Sequence, residues 1–308
     1  MIDLRRLTVL RAIAHYGTVT AAAASLHLTP SAASQHVRRL SRELEVPLLE
    51  PHGRRVRLTP AARVLLRHAD RLENYWQRAE AELAATKAAT LQGTLRLVGF
   101  PTAISVLLAP AAAQLQRDWP QLTVTIREVE PRDCFDLLFS GDADLAVVEA
   151  TVDNPPLSDE RFEQHALFDD PFELLTLSGH RLAGRPTVTV QDLATEPWIV
   201  GFPGSSARQL ILAACNSAGF TPAIAHQARE WSTVASLVAH RLGIALVPQA
   251  ASLPPDPDLA RTPLSGSARP TRRFLSVLRS GSGDHPAIAT AAALLDSLVP
   301  RQGRPDGP

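Results

Sequence analysis

The sequence predicts a winged helix-turn-helix head at residues 1–59, a long linker helix at 60–90 and a two-lobed α/β body at 91–300. Three observations lead to this prediction. Helical periodicity with capping signals fills the head, and no glycine or proline occurs between Pro60 and Gly93. Strand and helix patterns then alternate through the remainder of the chain, which is typical of α/β sheets.

Charge is distributed unevenly along the 308 residues, whose net charge is zero. Residues 1–65 hold ten arginines against four acidic residues, a net charge of +6. Residues 91–300 hold fifteen arginines against twenty-two acidic residues, a net charge of −7. A basic head on an acidic body indicates that only the head meets a polyanion, and nucleic acid is the obvious one.

Several functional classes find no support in the sequence. No apolar run approaches the ~18 residues that span a bilayer, and the charged N-terminus lacks a signal-peptide core. We therefore expect a cytoplasmic protein without membrane contact. Cys134 and Cys215 fit no zinc or CxxC spacing, so we expect buried thiols, no metal and no cofactor. Common catalytic motifs such as G-x-S-x-G and HExxH are absent, so we expect no enzyme.

The head is predicted to contain three helices. The first, Leu4 to His15, is amphipathic, and the second, Ala21 to Leu26, is short and rich in alanine. Three residues later Thr29 can cap a third helix, with Pro30 at its first position, that runs to about Leu44. A three-residue connection is typical of two steeply crossed helices.

The exposed face of the third helix suits contact with duplex DNA. Its outward side chains are Ser31, Ser34, Gln35, Arg38, Arg39 and Arg42. Hydroxyl and amide groups in the first turns can read base edges in the major groove. The later arginines can pair with phosphates. The alternative is an ordinary solvated face, which the charge run alone would favour.

A β-hairpin is predicted after the third helix, where two short extended segments flank Gly53. Arg54, Arg55 and Arg57 would project from this wing. They could contact the DNA backbone or the minor groove beside the third helix.

The run GTVTAAAASLHLTPSAASQHVRRLSRELEVPLLEPHGRRVRLTPA resembles the DNA-binding domain of the LysR-type transcriptional regulators. The resemblance implies an inverted-repeat operator in double-stranded DNA, a homodimer formed through the linker helix, assembly to a tetramer, and RNA polymerase as a candidate partner. The residues that it implies in DNA contact are Thr29, Pro30, Ser31, Ser34, Gln35 and Arg38, to which the exposed face and the wing add Arg39, Arg54 and Arg55.

The linker helix is predicted to begin at Thr59-Pro60 and to end at about Ala89. Its apolar positions recur in a coiled-coil-like stripe made of Leu65, Ala69, Leu72, Trp76, Ala79 and Leu83. Such a helix is about 45 Å long at ~1.5 Å per residue. The small head cannot bury it, so a partner subunit is expected; the alternative is packing within its own chain.

The body is predicted to alternate strands and helices. Predicted strands are Thr94–Phe100, Gln121–Val129, Asp144–Glu149, Phe172–Ser178, Trp198–Gly201, Ile224–Arg229, Ile244–Pro248 and Phe274–Leu278. Predicted helices are Ala103–Arg117, Pro131–Ser140, Ser205–Ala218, Thr233–His240 and Ala287–Leu298.

The segments GTLRLVGF, GDADLAVV, DDPFELL and HRLGIALVP resemble landmarks of the LysR effector domain. That resemblance implies two lobes like those of periplasmic binding proteins. We assign lobe I to 91–163 and 268–300 and lobe II to 164–267, and we expect 301–308 to be a disordered tail.

An effector site is predicted between the lobes, because ligands of open α/β sheets lie beyond the carboxyl ends of strands. Hydroxyls at two helix starts, Thr102 with Ser205 and Ser206, could hydrogen-bond an effector, for example its carboxylate. Apolar walls would come from Phe202, Trp231 and Pro248, and Glu149 or Glu130 could meet an amine. The alternative is that these hydroxyls only cap helices.

The function predicted is therefore a DNA-binding regulator whose operator binding responds to an unidentified small molecule. Three alternatives are weighed against it. A DNA-tethered enzyme lacks a catalytic motif, and an architectural DNA-binding protein does not need a two-lobed body. A cysteine-based redox sensor is a minor alternative, since Cys134 and Cys215 are far apart in sequence.

Overall fold

A computed structural model describes residues 3–52, 55–86 and 91–299 of the chain. Within these ranges the three predicted parts are present: a helical head with a β-hairpin, a long helix and an α/β body. No helix in these ranges is both long and apolar enough to cross a membrane. The expected tail, residues 301–308, lies outside the described residues.

The head contains three helices followed by a two-stranded antiparallel hairpin. The elements are α1 (Leu4–Tyr16), α2 (Val19–Ser25), α3 (Pro30–Glu43), β1 (Leu49–His52) and β2 (Arg55–Leu58). Capping groups set the helix starts: α3 begins where the sequence predicts, whereas α2 begins at Val19, two residues before the predicted Ala21, because Thr18 caps it. The Thr29 hydroxyl accepts a hydrogen bond from the Ala32 amide at 3.2 Å, and Gly17 ends α1 at a φ of 72°.

Small residues bring the head helices close together. Ala22, Ala33 and Leu40 are fully buried in one apolar cluster with Leu10. Alanine at the crossing of α2 and α3 leaves room for the neighbouring helix, so the polar side of α3 is turned outward.

The linker helix is α4 (Pro60–Ala85), capped by Thr59. Its predicted end at about Ala89 falls on residues 87–90, which lie outside the described residues. Of the predicted stripe, Ala69 is buried, whereas Leu72, Trp76 and Leu83 are exposed by 52%, 60% and 63%. One side of α4 therefore packs within its own chain, and the other side presents an uncovered apolar row.

Lobe I contains strands and helices from both ends of the body. They are β3 (Gly93–Gly99), α5 (Pro101–Ala103), a π-helical turn (Ile104–Leu108), α6 (Ala109–Asp118), β4 (Leu122–Glu128), α7 (Pro131–Ser140), β5 (Leu145–Glu149) and α10 (Pro286–Leu298). The strand β12 (Thr271–Arg279) returns to lobe I and pairs with β5. Its core is continuous from β3 to α10.

Lobe II lies beside it on the same hydrogen-bonded path, in the strand order β4-β3-β5-β12-β6-β10-β8-β9. The remaining elements are β6 (Phe162–Leu177), β7 (Val188–Thr189), a 3-10 turn (Val190–Leu193), β8 (Pro197–Val200), α8 (Ser206–Ser217), β9 (Ala223–Gln227), α9 (Trp231–Ala239), β10 (Ile244–Pro248) and β11 (Leu259–Ser265). Trp198 is fully buried at the centre of the lobe II core.

The strand β6 is longer than the sequence predicts and belongs to both lobes. Residues 162–171 pair with β12, and residues 172–177 pair with β10 and β11. The predicted strand, Phe172–Ser178, covers only the second half of β6. The pairing partner changes from β12 to β10 and β11 at about Pro171, whereas the lobe boundary is expected at residue 164. The sequence gives no local signal for the first half of β6, because its partner strand β12 is about a hundred residues away.

The head contacts lobe I of its own chain through His15. Its Nε2 donates to a carboxylate oxygen of Asp136 at 2.6 Å, and its Nδ1 accepts from the guanidinium of Arg161 at 2.9 Å. The imidazole also stacks on Phe139 with ring centroids 4.2 Å apart. A side chain at the end of α1 is thereby fixed between α7 and the start of β6.

Arginines on both sides reinforce this contact. Arg11 of the head and Arg161 of lobe I lie 5.0 Å and 5.7 Å from the Phe139 ring centroid. Arg11 is held by Asp70 of α4 at 2.7 Å. The head, the linker helix and lobe I are thus joined by one cluster of charged and aromatic side chains.

Candidate DNA interface and effector cleft

The polar face of α3 is open to solvent. Thr29, Pro30, Ser31 and Gln35 are exposed, and Ser34 is half-buried. The Thr29 hydroxyl caps the helix and lies 3.0 Å from that of Ser31, so only part of its hydrogen-bonding capacity is free. Among the described residues, no hydrogen bond joins this face to the body. The helix can therefore approach a groove of DNA from the side that the sequence predicts.

The arginines of α3 differ from Arg6 and Arg11 of α1. Arg38, Arg39 and Arg42 are exposed, and none forms an ion pair with any residue in the described ranges. By contrast, Arg6 pairs with Glu43, and Arg11 is paired with acidic groups of α4. Unpaired guanidinium groups on one helix face can receive phosphates without first breaking an internal ion pair.

A groove of about 560 Å³ separates α3 from the wing. Ser34, Arg38 and Arg42 line one side, and the paired side chain of Glu50 lies on the other. The sequence prediction left Arg42 out of the DNA-contact set, although Arg42 lies one helical turn after Arg38 on the same face of α3. The predicted contact Arg54 lies outside the described residues, and for Arg55 only its place in β2 is described.

The hydroxyls predicted to line the interlobe cleft have different roles. The Ser205 hydroxyl accepts from the Arg208 amide at 3.3 Å and caps α8, so the capping alternative holds for this residue. Ser206 instead reaches across the lobes and donates to Glu149 at 3.0 Å. Thr102 is buried just after β3 and makes no capping bond. The capping alternative therefore applies to Ser205 and not to Thr102 or Ser206.

Glu149 lies at the carboxyl end of β5 and is only 4% exposed. Burial raises its pKa, and the neighbouring charge of Arg272 and the Ser206 hydroxyl oppose that rise. One oxygen accepts from Ser206, whereas the other is buried without a hydrogen-bond partner among the described residues. A buried carboxylate oxygen in this condition is unusual in proteins.

The other predicted cleft residues are placed less uniformly. Phe202 is exposed on the loop before α8, Trp231 is half-buried against the lobe II core, and Pro248 is buried at the end of β10. The alternative counter-charge, Glu130, is exposed and already paired with Arg229 of lobe II at 3.0 Å. Of the two acids, Glu149 is therefore better placed to meet an amine of the effector.

Sequence analysis missed Arg272 and Asp170, a buried ion pair beside Glu149. The Arg272 Nε donates to Asp170 at 2.8 Å, and Arg272 is 5% exposed. Its guanidinium carbon lies 5.4 Å and 5.0 Å from the ring centroids of Phe100 and Phe274. The available signal was an arginine two residues before Phe274 in an apolar strand, which places both side chains on one face.

Comparisons with known proteins agree with this architecture. The family described as "Bacterial regulatory helix-turn-helix protein, lysR family" matches residues 4–63, and the "LysR substrate binding domain" matches residues 88–299. Together they account for the head and the whole two-lobed body.

Relatives of similar length carry names from gene regulation. A probable hydrogen peroxide-inducible genes activator of Mycobacterium avium is 29% identical over 296 residues, covering 94% of this chain and 92% of that protein. The DNA-binding transcriptional dual regulator OxyR of Escherichia coli K12 is 29% identical, with coverages of 82% and 81%. The structure of an OxyR mutant from Corynebacterium glutamicum is 26% identical with a TM-score of 0.59, covering 96% of this chain and 92% of that one.

The head and the cleft together define a DNA-binding regulator with a ligand-sensing domain. The chain belongs to the LysR family of transcriptional regulators. Its head binds DNA, and a small-molecule effector bound by its two-lobed body modulates that binding. The comparisons support neither the tethered enzyme nor the architectural protein.

Proposed function

We propose that two heads of an oligomer read an inverted-repeat operator with the polar face of α3, and that Arg38, Arg39 and Arg42 bind its phosphates. The observation that carries this assignment is the set of exposed, unpaired arginines on that face. Ser31, Ser34 and Gln35, one or two turns nearer the helix start, would contact base edges. The wing arginines would add backbone contacts.

The salt dependence of DNA binding tests the phosphate contacts. Full-length protein would first select its operator from a pool of random duplexes, and fluorescence anisotropy would then give affinities at several salt concentrations. Each phosphate contact contributes about 0.9 to the slope of log affinity against log salt. Arg38→Ala should lower that slope by about this amount. Arg181→Ala, which removes an exposed charge from lobe II, is the matched control.

Unchanged slopes in Arg38→Ala and Arg39→Ala would refute the phosphate assignment. Gln35→Ala should act differently, because it removes a candidate base contact and leaves the charge unchanged. A good bidentate base contact is worth about 1–3 kcal/mol of discrimination. We therefore expect Gln35→Ala to relax sequence preference at one operator position while its salt slope stays that of the parent protein.

We further propose that the uncovered apolar row of α4 forms the dimer. Leu72, Trp76 and Leu83 recur at heptad-like intervals and are more than half exposed. Trp76→Glu should shift sedimentation toward monomers, whereas Arg67→Glu, at an exposed polar position of the same helix, should not. An unchanged oligomeric state in Trp76→Glu would show that other surfaces hold the assembly together. A tetramer and contact with RNA polymerase remain extensions of this proposal.

The effector is proposed to bind between Thr102 and Ser206, beside Glu149, with Phe202, Trp231 and Pro248 as apolar walls. The bond from Ser206 to Glu149 supports this placement, since it joins the lobes at the end of a buried strand. Any compound that shifts thermal unfolding of the full-length protein should lose at least tenfold in affinity in a Thr102→Ala, Ser206→Ala variant. Ser297→Ala, an exposed serine of α10, is the control. Undiminished affinity in the double variant would exclude this site.

A peroxide response, the property in the names of several relatives, is not the function that we propose. Cys134 packs in lobe I and Cys215 in lobe II, both buried. Burial raises the pKa of the Cys134 thiol to about 12 and that of Cys215 to about 11. The thiolate is the reactive form, so both thiols should be inert near neutral pH. Peroxide-dependent DNA binding that a Cys134→Ser, Cys215→Ser variant loses would refute this.

The same proposal includes two further points. The protein has no catalytic activity, and it is located in the cytoplasm with the DNA. Family membership supports both, since these proteins regulate transcription. Among the described residues, no three metal-binding side chains are grouped to hold an ion.

A further inference from the structure

The cleft holds two buried charged groups that are each only partly satisfied. Glu149 has one free oxygen, and Arg272 has a buried Nη2 without a partner among the described residues. Both side chains are about 95% buried. An unpaired acceptor and an unpaired donor in the same apolar surroundings are costly. A ligand that supplies the two missing partners would therefore gain more than one that supplies neither.

These two groups lie on the same face of neighbouring strands. In the β12–β5 register Phe274 lies opposite Glu149, and Arg272 is two residues from Phe274 on the same side. Diagonal neighbours of this kind have their Cα atoms about 7–8 Å apart. Glu149 and Arg272 do not form an ion pair with each other, although each has an unpaired atom. Each side chain therefore keeps one polar atom to which a small ligand group could bond.

The charges of Glu149, Asp170 and Arg272 determine which charge a bound ligand group should carry. Asp170 already neutralises Arg272 through the 2.8 Å bond from Nε, and its other oxygen accepts from the Ala250 amide at 2.9 Å. Glu149 has no cation paired with it in the described ranges, so the three groups together carry one net negative charge. A ligand that brings only an anion next to Glu149 would be repelled, whereas a ligand that also brings a cationic donor to Glu149 would be stabilised.

We propose that the effector carries a protonated amine and a carboxylate on neighbouring atoms, as an amino acid does, with the amine bound by Glu149 and the carboxylate by Arg272. This deepens, and rests on, the effector site proposed above. The rings of Phe100 and Phe274 flank the guanidinium and form the apolar floor of the site. Lobe II contributes Ser206, which already bonds Glu149, so binding at the two charges is linked to contact between the lobes.

Calorimetry on the full-length protein tests the effector class. The probes are the twenty common amino acids, each compared with its analogue lacking the amine and its analogue lacking the carboxylate. For leucine these are isocaproate and isopentylamine; for phenylalanine they are phenylpropanoate and phenylethylamine. We expect at least one amino acid to bind at least tenfold tighter than both of its analogues. A set of dicarboxylates and aromatic carboxylates is measured in parallel.

Two variants assign the groups. Glu149→Gln should abolish the preference for the amino acid over its deaminated analogue, and Arg272→Lys should abolish the preference over the amine. Glu160→Gln, at an exposed surface position, should change neither. Should the variants fail to fold, the parent protein still provides a test. Its affinity for the amino acid should fall as the pH is lowered and Glu149 takes up a proton, whereas binding that is independent of pH would contradict the assignment.

The outcomes distinguish an error in the proposed amino-acid class from an error in the proposed effector site. If a dicarboxylate or an aromatic carboxylate binds and Thr102→Ala, Ser206→Ala weakens it, the site stands and the amino-acid class is wrong. If an amino acid binds but no cleft variant affects it, both the site and the class are wrong. If none of the twenty amino acids binds better than its analogues, the class is overturned.

Discussion

Removal of the His15 side chain should release the head from lobe I. In the structure this imidazole is 7% exposed and forms three contacts with the body: the hydrogen bond to Asp136, the hydrogen bond from Arg161 and the stack on Phe139. His15→Ala deletes all three at once. The helix α1 keeps its own core through Leu10 and Ile13, so the head itself should stay folded.

The size of the effect follows from these contacts. A hydrogen bond to a charged group contributes about 1.5–3 kcal/mol, and an aromatic stack adds about 0.5–1.5 kcal/mol. The contacts share partners and are not additive, so we take about 2 kcal/mol as the lower bound for the lost contact energy. Since 1.4 kcal/mol corresponds to tenfold, the population with the head detached should rise about 30-fold.

Hydrogen exchange followed by mass spectrometry measures this population. Peptides that cover α7 and the end of α1 should lose protection in His15→Ala by about the same factor, about 30-fold, whereas the lobe II core around Trp198 should not change. His68→Ala, on an exposed position of α4, is the control. Equal protection of α7 in the parent protein and His15→Ala would show that the contact does not hold the head in solution.

Three further outcomes are expected. Asp170→Asn breaks the buried pair with Arg272 and should lower the free energy of unfolding by about 3–5 kcal/mol in urea titrations; a loss below 1 kcal/mol would contradict the buried pairing. Burial raises the pKa of Glu149, so the folded state binds its proton more tightly than the unfolded state. The stability of the parent protein relative to Glu149→Gln should therefore rise as the pH falls from the raised pKa toward the ordinary value. A difference in stability that does not change with pH would be inconsistent with the burial of Glu149. Ser205→Ala should cost about 1 kcal/mol of stability through the lost cap of α8 while effector affinity stays unchanged; weaker binding instead would return Ser205 to the effector site.

Local signals account for the parts of the fold that sequence analysis predicted well. The helix Pro131–Ser140 and the strand Ile244–Pro248 were predicted with the bounds that the structure has. A proline begins the helix and a glycine follows it, and the strand is a short apolar run. The starts of α3 and α4 were predicted from the same kind of signal, because Thr29 and Thr59 each cap a helix within three residues of their own position. Such signals act between neighbours in the chain, so a single sequence displays them.

The cleft was predictable only in outline. Glu149 ends a strand, and Thr102 and Ser206 follow strand ends, which is where the fold class places ligand sites. Nothing local distinguished Ser205 as a cap from Ser206 as an interlobe contact. The place of Arg272 was also hidden, since its partner Asp170 is 102 positions away in the chain. The first half of β6 was missed for the same reason, because its polar residues become a strand only through pairing with β12.

The sequence by itself determined the three-part plan, the starts of α1, α3 and α4 and the outward polar face of α3, because capping and periodicity depend on residues a few positions apart. Only the tertiary structure decided that His15 joins the head to lobe I and that Glu149 and Arg272 share one buried face. Both depend on which distant strands and helices become neighbours. The burial that makes an unpaired charge costly exists only after the chain has folded.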